Sequence, residues 1–216
     1  MMIAEFVAVV IIAYLLGSIP FGLIIGKMKK GVDIRQQGSG KTGATNLMRV
    51  AGTKLGVLAL VLDVVKATGA VMLATVIIGR DSGVLPIAGV SVYWRHIAQV
   101  AAGLAAVVGH NWPIFAKFRG GRGVTAYFGT VFAIFPPAGI FGAEVLAIAA
   151  LRSRHMSLGS LLGALATWCL MLPLTIVYDL LPSIYLVYGS VVVALVVYQH
   201  RDNIKRLRQG TERQLW

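Results

Sequence analysis

The sequence contains few charged residues and a single cysteine. Charged residues occupy 13% of the 216 positions, about half of the ~25% that soluble domains carry, and the mean hydropathy is +0.80. This composition excludes an ordinary soluble globular protein and indicates a membrane protein. Because Cys169 is the one cysteine, an intrachain disulfide and a multi-cysteine metal site are both excluded. It lies in an apolar run. We expect neither a metal nor a cofactor.

Acidic residues are also scarce, at eight against twenty lysines and arginines. The net charge of +12 would suggest a nucleic-acid partner if the protein were soluble. The N-terminus lacks the basic region of a cleavable signal and carries Glu5 instead. Its first apolar run, Ile3–Ile25, is longer than the apolar core of a signal peptide. This run therefore predicts a true membrane span.

Hydropathy predicts seven membrane-spanning helices, since a helix needs about 20 apolar residues to cross a bilayer. The predicted spans are Ile3–Gly26, Leu55–Gly79, a segment near Arg95–Asn111, Gly123–Phe135, Ala138–Arg152, Ser157–Tyr178 and Ser183–Gln199. The fourth and fifth are separated by Pro136 and Pro137, which break a helix. Both are short for a full crossing at about 1.5 Å per residue, so a re-entrant hairpin is an alternative. We predict an all-α integral membrane protein with a single domain over residues 1–216.

The basic residues divide unequally between the two sides of these spans. Arg80 and Arg95 fall on one side, and Lys66 lies inside the second span, where we expect it to neutralise Asp63 three residues earlier. The other seventeen fall on the opposite side: Lys27, Lys29, Lys30, Arg35, Lys41, Arg49, Lys54, Lys117, Arg119, Arg122, Arg152, Arg154, Arg201, Lys205, Arg206, Arg208 and Arg213. The positive-inside rule then predicts an outer N-terminus and a cytoplasmic C-terminus. Much of the net charge is thus a topology signal, and we expect no nucleic-acid partner.

Three glycine-rich, basic segments lie on the predicted cytoplasmic side. They are Gln37–Asn46, Gly109–Gly123 and His200–Glu212. Because they are far apart in sequence but share one membrane face, we expect them to converge on one positively charged site beside the lipid. Such a site suits a phosphate-bearing substrate.

The first segment contains GSGKT, which resembles part of a nucleotide-binding loop. That loop requires glycine where Arg35 stands, and it requires a strand before it and a helix after it. The glycines still allow backbone amides to turn toward an anion. The candidate residues here are Ser39 as a catalytic residue and Gly38, Gly40, Gly43, Ala44, Thr45, Asn46 and Arg49 as phosphate ligands. The alternative is a flexible polar loop.

The other two segments offer further candidates for an anion site. In the second, a glycine-rich turn precedes a predicted helix, a common anion-binding arrangement, and the alternative is a basic anchor at a span end. In the third, His200 and Asn203 lie one helical turn apart, and histidine titrates near neutral pH. The alternative there is an amphipathic helix that binds anionic headgroups. The candidates are Lys117, Gly120, Gly121, Arg122, Gly123, His200, Asn203, Arg206 and Ser157, the last also able to cap the sixth span.

With these segments identified, the chain resembles the bacterial acyl-phosphate-dependent glycerol-3-phosphate acyltransferases, the PlsY family. The similarity runs from GSIPFG at Gly17–Gly22 to the C-terminus. The family's third motif, H-x-x-N-I-x-R-L-x-x-G-x-E, is matched at every fixed position by His200, Asn203, Ile204, Arg206, Leu207, Gly210 and Glu212. Lys41 stands where the family usually has asparagine, and Arg119 and Arg122 stand where it usually has lysine. Arginine keeps the charge and adds a planar fork, so we expect phosphate binding to persist.

The resemblance implies transfer of an acyl group from acyl phosphate to the 1-hydroxyl of glycerol 3-phosphate, giving lysophosphatidate and phosphate. It implies a bacterial inner membrane location and a functional link to an acyl-carrier-protein:phosphate acyltransferase that supplies the donor. The catalytic candidates are His200, Asn203 and Ser39, and the base is either His200 or a phosphate oxygen of the donor. None of the four histidines is followed by aspartate at the H-x-x-x-x-D spacing of the other large acyltransferase class.

Two other functions are compatible with parts of the sequence. A small organophosphate or anion transporter would need a binding site near the bilayer midplane, whereas the basic segments lie at one face. A non-catalytic lipid-binding scaffold would explain the cationic C-terminus but not three glycine-rich segments.

Overall fold

The computed structural model describes residues 2–79, 83–87 and 90–215 and is almost entirely helical. Arg80 and Asp81, which belong to the predicted outer side, lie outside the described residues. The helices are α1 (Met2–Gly17), α2 (Phe21–Lys30), α3 (Ala44–Ala51), α4 (Thr53–Ile78), α5 (Trp94–Asn111), α6 (Val124–Ile134), α7 (Pro136–Ser153), α8 (Met156–Ile176), α9 (Ser183–Gln199) and α10 (Arg201–Arg208). Single turns of 3-10 helix occur at Ile34–Gln36 and Ile114–Ala116.

A short antiparallel hairpin, which the sequence analysis does not predict, precedes α5. Its strands are β1 (Val84–Ile87) and β2 (Val90–Tyr93). Three helical segments of the described chain are long and apolar enough to cross a bilayer, namely Ile3–Lys30, Thr53–Ile78 and Met156–Ile176. The pair α9 and α10, bent by 59° between them, adds a fourth if the two are one span. The other predicted spans correspond to α5, α6 and α7.

The first predicted span is broken between α1 and α2, where Pro20 precedes the second helix. The break frees the carbonyl of Ile19, which accepts a hydrogen bond from Lys66 Nζ at 2.6 Å. The same Nζ lies 2.6 Å from Asp63 Oδ1, so the predicted pairing inside the second span is present. A backbone group freed inside a membrane protein needs an internal partner, and the buried lysine supplies it.

The break between α6 and α7 is the single residue Phe135, and α7 begins at Pro136, two residues before the predicted start at Ala138. Pro136 and Pro137 do not form the turn but occupy the first turn of α7. The first amides of a helix have no intrahelical acceptor, so proline is tolerated there. The prolines therefore begin a helix here, and α7 extends through Ser153 at its other end.

Glycines bring neighbouring helices into close contact. A Cβ on Gly17 of α1 would lie 2.2 Å from the Ala106 carbonyl oxygen of α5, and one on Gly163 of α8 would lie 2.6 Å from the Gly142 carbonyl oxygen of α7. Small residues at such contacts are typical of membrane helix pairs, because close backbone approach replaces the hydrophobic driving force available in water. This tight packing fixes the positions of the helix ends that carry the site.

Candidate active site

The first and second glycine-rich segments contact each other directly. The amide of Thr42 donates to the Gly120 carbonyl at 3.4 Å. On its other side, the Thr42 carbonyl oxygen lies 2.1 Å from where a Cβ on Gly22 of α2 would stand. The first segment is thus held between α2 and the second segment, although the two loops are almost eighty residues apart.

Asn46 organises the first segment. Its Nδ2 donates to the carbonyls of Ile34 at 2.7 Å and Lys41 at 2.9 Å. Its Oδ1 accepts from the Ser39 amide at 2.7 Å. Gly38 has φ +59, and a Cβ there would lie 2.2 Å from Asn46 Oδ1. Asn46 therefore shapes the loop from within, and Gly38 is needed for both its backbone conformation and its close approach.

The second segment folds onto the end of α5. The Gly121 amide donates to the His110 carbonyl at 3.0 Å. A Cβ on Gly120 would lie 2.2 Å from that carbonyl oxygen, and one on Gly121 would lie 2.0 Å from His110 Nε2. Nδ1 of the same ring is 3.7 Å from Asp63 Oδ1. The two glycines allow the loop to lie against His110, which is in turn held near the buried ion pair.

Glu212 connects the C-terminal segment to two helices. Its Oε1 accepts from Asn203 Nδ2 at 2.6 Å and from Ser157 Oγ at 2.9 Å. Its Oε2 accepts from Arg206 Nε at 2.7 Å. Asn203 and Arg206 lie one turn apart on α10, while Ser157 lies in the first turn of α8. The carboxylate therefore joins α8, α10 and the chain end at one point.

The same contacts control the protonation of Glu212. Burial by itself would raise the pKa, but the hydrogen bonds from Asn203, Arg206 and Ser157 outweigh burial and hold the pKa of this carboxyl below its usual range. A lowered pKa in the folded protein means that the ionised carboxylate stabilises the fold above the unfolded-state pKa. This contribution is lost as the pH falls through the lower, folded-state pKa.

One polar cavity lies where the three segments meet. Its lining residues are Ser39, Lys41, Gly43, Ala44, Thr45, Asn46, Arg49, His110, Gly121, Arg122, Val124, Thr125, Met156, Ser157, Ser160, His200 and Glu212. Four helices begin at this cavity: α3 after Gly43, α6 after Gly123, α8 at Met156 and α10 after His200. Because a helix N-terminus presents free amides and a partial positive charge, the cavity is suited to an anion.

The charged side chains of the cavity strengthen this preference. Arg122 lines it, and its buried Nε has no hydrogen-bond acceptor among the described residues. Burial lowers the pKa of Arg122 to about 10, so the guanidinium is still cationic at neutral pH. Burial also lowers the pKa of Lys41, with Arg122 and Arg201 adding to the effect. An anion bound here would meet excess positive charge.

His200 occupies the junction between α9 and α10 and is 1% exposed. Its Nδ1 lies 2.8 Å from the Val196 carbonyl, which only accepts, so Nδ1 carries the proton. The lone pair of the neutral ring is therefore on Nε2. The pKa of His200 is lowered to about 4, chiefly by burial; the charges of Arg122 and Lys41 also lower it, whereas the Val196 carbonyl and Glu212 oppose the shift. The ring is thus neutral and a weak base at neutral pH.

An apolar cavity of about 290 Å³ adjoins the polar one. It lies between α3, α4, α6, α7 and α8. The two cavities share the wall residues Ala44, Thr45, Val124, Thr125, Met156 and Ser160. A molecule with a phosphate at one end and a hydrocarbon chain at the other would fit this arrangement.

Most of the sequence-predicted residues either line the polar cavity or shape it. Gly38, Gly40, Gly120 and Gly123 shape the loops around it, whereas Asn203 and Arg206 bind Glu212 without lining it. Lys117 does not line the polar cavity; it lines a separate exposed depression with Asp33, Arg35, Gln36 and Arg119. It ends a turn of 3-10 helix with φ 55, and this turn carries it away from the cavity.

Comparison with known proteins identifies the family. Residues 7–210 match the glycerol-3-phosphate acyltransferase family. The chain is 48% identical over 215 residues to glycerol-3-phosphate acyltransferase 3 of Dehalococcoides mccartyi, covering 100% of this chain and 98% of the relative. It is 39% identical over 206 residues to the glycerol-3-phosphate acyltransferase of Halalkalibacterium halodurans, covering 95% and 93%. The chain belongs to this family.

Two solved structures link the fold to PlsY. A crystal structure of PlsY, an integral membrane glycerol 3-phosphate acyltransferase, in its glycerol 3-phosphate form has a TM-score of 0.81 and 37% identity, covering 97% of this chain and 94% of that chain. The lysophosphatidic acid form has a TM-score of 0.79 and 36% identity, with the same coverage. The predicted family and enzyme class are confirmed, and the chain is a multi-pass membrane protein.

Five polar residues at the cavity of this PlsY-family protein are missing from the sequence-predicted site. They are Lys41, His110, Thr125, Ser160 and Glu212. The signals for three of them are present in the sequence, since Lys41 lies within the first glycine-rich segment, His110 is the second residue of the second segment and Glu212 ends the third motif. Thr125 lies two residues after the second segment ends. Ser160 follows Ser157 by three residues on α8, and only the helix register indicates it. Among the described residues, no group of three or more His, Cys, Asp or Glu side chains is placed to hold a metal ion.

Proposed function

We propose that this protein transfers an acyl group from acyl phosphate to the 1-hydroxyl of glycerol 3-phosphate. The observation that carries the proposal is the shared wall between the cationic cavity and the apolar one. The phosphates of both substrates bind among the four helix N-termini, and the acyl chain enters the apolar cavity from the side of the bilayer. The products are lysophosphatidate and inorganic phosphate.

The reaction forms one ester bond and breaks one mixed anhydride bond. The 1-hydroxyl oxygen attacks the acyl carbonyl carbon, and the bond from that carbon to the phosphate oxygen breaks, so that phosphate leaves with the electron pair. Arg122, Lys41 and the backbone amides at Gly43–Thr45 stabilise the charge on the leaving phosphate. Such preorganised electrostatic stabilisation is usually the largest contribution to catalysis, and holding both substrates together removes much of the remaining barrier.

The proposed roles divide between binding and proton handling. Ser39 and His200 face the reacting groups, and Asn203 acts by holding Glu212 beside them. The hydroxyl proton goes to His200 Nε2 or to a phosphate oxygen of the donor. The proposed substrate- and phosphate-binding set comprises Gly38, Gly40, Gly43, Ala44, Thr45, Asn46, Arg49, Gly120, Gly121, Arg122, Gly123, Ser157 and Arg206. Lys41 joins this set because it lines the cavity, and Lys117 leaves it because it does not.

The membrane arrangement is part of the proposal. The chain forms one functional unit over residues 1–216 in a bacterial inner membrane, with seven crossings, an outer N-terminus and a cytoplasmic C-terminus. The helix positions and the division of basic residues support this arrangement. The site then faces the cytoplasm, where glycerol 3-phosphate is soluble and where an acyl-carrier-protein:phosphate acyltransferase supplies the donor.

Donor identity can be tested with the purified protein in detergent or lipid. With palmitoyl phosphate, we expect phosphate release that requires glycerol 3-phosphate and yields an equal amount of lysophosphatidate, and we expect no turnover with palmitoyl-CoA. Phosphate release and product formation are measured together. Turnover with the CoA ester alone would overturn the proposed donor. No turnover by folded protein with any donor would favour the transporter, to be tested by uptake into proteoliposomes.

The base can be identified with His200→Gln. A ring with a pKa of about 4 is a weaker base than a phosphate monoester, whose second pKa is about 6, and the donor's phosphate oxygens become more basic as the anhydride bond breaks. We therefore expect the variant to keep more than about a tenth of the wild-type kcat, since loss of an obligatory general base costs about 10²–10⁴-fold. The KM for glycerol 3-phosphate should rise because Nε2 helps to orient the hydroxyl.

His155→Gln is the matched control, because His155 lies near the same membrane face but does not line the cavity. Its kcat and KM should equal those of the wild type. A loss of kcat beyond 100-fold in His200→Gln, with the control unaffected and the helical content unchanged, would assign the proton to His200 instead.

A further inference from the structure

The apolar cavity ends at one aromatic side chain. On α6, its lining residues Val124, Phe128 and Phe132 follow one helical face. At about 1.5 Å per residue, Phe132 lies roughly 12 Å beyond the shared wall. Among the described residues, none of positions 133–142 lines the cavity, although this stretch joins α6 to α7. Phe132 is therefore the innermost lining residue on α6.

The ring of Phe132 is held in place by α7. A Cβ on Gly139 would lie 2.8 Å from Cδ1 and 3.0 Å from Cε1 of this ring, so the ring lies directly against the α7 backbone. Ala143, one turn further along the same face of α7, is the deepest lining residue on that helix. The ring therefore fills the space between α6 and α7 one helical turn further from the polar cavity than Ala143.

The α4 side of the cavity is closed at a similar depth. A Cβ on Gly129 of α6 would lie 2.5 Å from the Val64 carbonyl oxygen and 2.9 Å from Ala67 Cβ of α4. The two helices are thus in backbone contact just beyond Val64, the last α4 residue that lines the cavity. With α4 closed here and α7 closed by the ring, Phe132 forms the floor.

We propose that Phe132, held against Gly139, determines which acyl chain lengths the enzyme accepts. The inference rests on the proposed acyl phosphate donor and adds a residue that sets specificity within it. A chain that reaches the ring gains contact with every added methylene, whereas a longer chain must displace the ring or turn out of the cavity. One methylene too many or too few in an apolar pocket changes kcat/KM by about 10–200-fold.

Opposite changes at the floor should move the preference in opposite directions. Phe132→Ala removes the ring and should raise kcat/KM for longer acyl phosphates relative to shorter ones by about tenfold. Ala143→Leu fills the cavity one turn above the floor and should lower the same ratio by about tenfold. Gly139→Ala replaces a residue that does not line the cavity, but the added Cβ would displace the Phe132 ring. It should therefore also change the ratio of kcat/KM for longer and shorter acyl phosphates.

The measurement is lysophosphatidate formation by the full-length protein with a series of saturated acyl phosphates that differ in two-carbon steps. Phe141→Ala is the matched control, because this ring lies on α7 between Gly139 and Ala143 but is 42% exposed and does not line the cavity. Its chain-length profile should match the wild type. Each variant's thermal unfolding in detergent shows whether it is folded.

The outcomes separate this inference from the proposed function. If the wild-type protein makes no lysophosphatidate from any acyl phosphate, the donor proposal fails and the inference fails with it. If the wild type is active but Phe132→Ala and Ala143→Leu shift the ratio in the same direction, or leave it unchanged while folded, then Phe132 is not the floor. Opposite shifts with an unchanged Phe141→Ala profile support it.

Discussion

Replacement of Glu212 by alanine should lower kcat/KM by more than 100-fold and the free energy of unfolding by about 2–4 kcal/mol. The carboxylate accepts hydrogen bonds from Ser157 and Asn203, which are 4% and 3% exposed, and a buried donor left without its acceptor costs about 1–3 kcal/mol. Arg206 would also lose its ion pair and add uncompensated positive charge beside Arg122. Turnover and thermal unfolding in detergent measure the two effects.

Two companion variants separate the hydrogen bonds of Glu212 from its charge. Glu212→Gln retains an oxygen that can accept from Ser157 and Asn203 but loses the charge that pairs with Arg206, so its stability should lie between those of wild type and Glu212→Ala. Asp202→Ala removes an exposed carboxylate from α10, the helix that carries Asn203 and Arg206, and should change the free energy of unfolding by less than about 0.5 kcal/mol. Equal effects of Glu212→Ala and Asp202→Ala would show that the hydrogen bonds of Glu212 contribute nothing.

The sequence predicts the parts of this protein that depend on local pattern. The apolar run that forms α9 predicts both of its bounds, Ser183 and Gln199, because apolar composition alone defines a span. The first and second segments are predicted to lie on one side of the membrane, which brings them near each other. The hydrogen bond from Thr42 to Gly120 shows that the two segments meet. His200 is a candidate from its motif, and the structure places it at the cavity.

Features that depend on tertiary partners are not predictable in this way. The break between α1 and α2 is stabilised by a hydrogen bond from Lys66 of α4 to the Ile19 carbonyl. The residues near Pro20 in the sequence do not indicate that this donor lies beside them. Lys117 lies close in sequence to the glycines of the second segment, but its backbone is left-handed and it does not line the cavity. Lys41, in the first segment, does line the cavity. Charge near glycine predicts an anion site, but backbone conformation decides which cation reaches it.

Gly120→Ala should lower kcat/KM by about two orders of magnitude while leaving the helical content unchanged. The added Cβ would lie 2.2 Å from the His110 carbonyl oxygen and 2.7 Å from that of Asn111, and backbone atoms cannot move aside as the end of a side chain can. The second segment must therefore lift from α5, which breaks its hydrogen bonds from Gly121 to His110 and from Thr42 to Gly120. A displacement of about 1 Å at a catalytic site can cost about 100-fold.

Gly69→Ala is the matched control. Gly69 lies inside α4, and a Cβ there meets no atom of another element within 4 Å. Its activity should equal that of the wild type, because alanine is favoured over glycine inside a helix. Circular dichroism establishes the helical content of both variants, and lysophosphatidate formation gives the rates. If Gly120→Ala keeps half of the wild-type activity, the two loops do not need this contact to hold phosphate. A loss confined to Gly120→Ala would instead show that backbone contact between distant segments, rather than their charge alone, assembles the anion site.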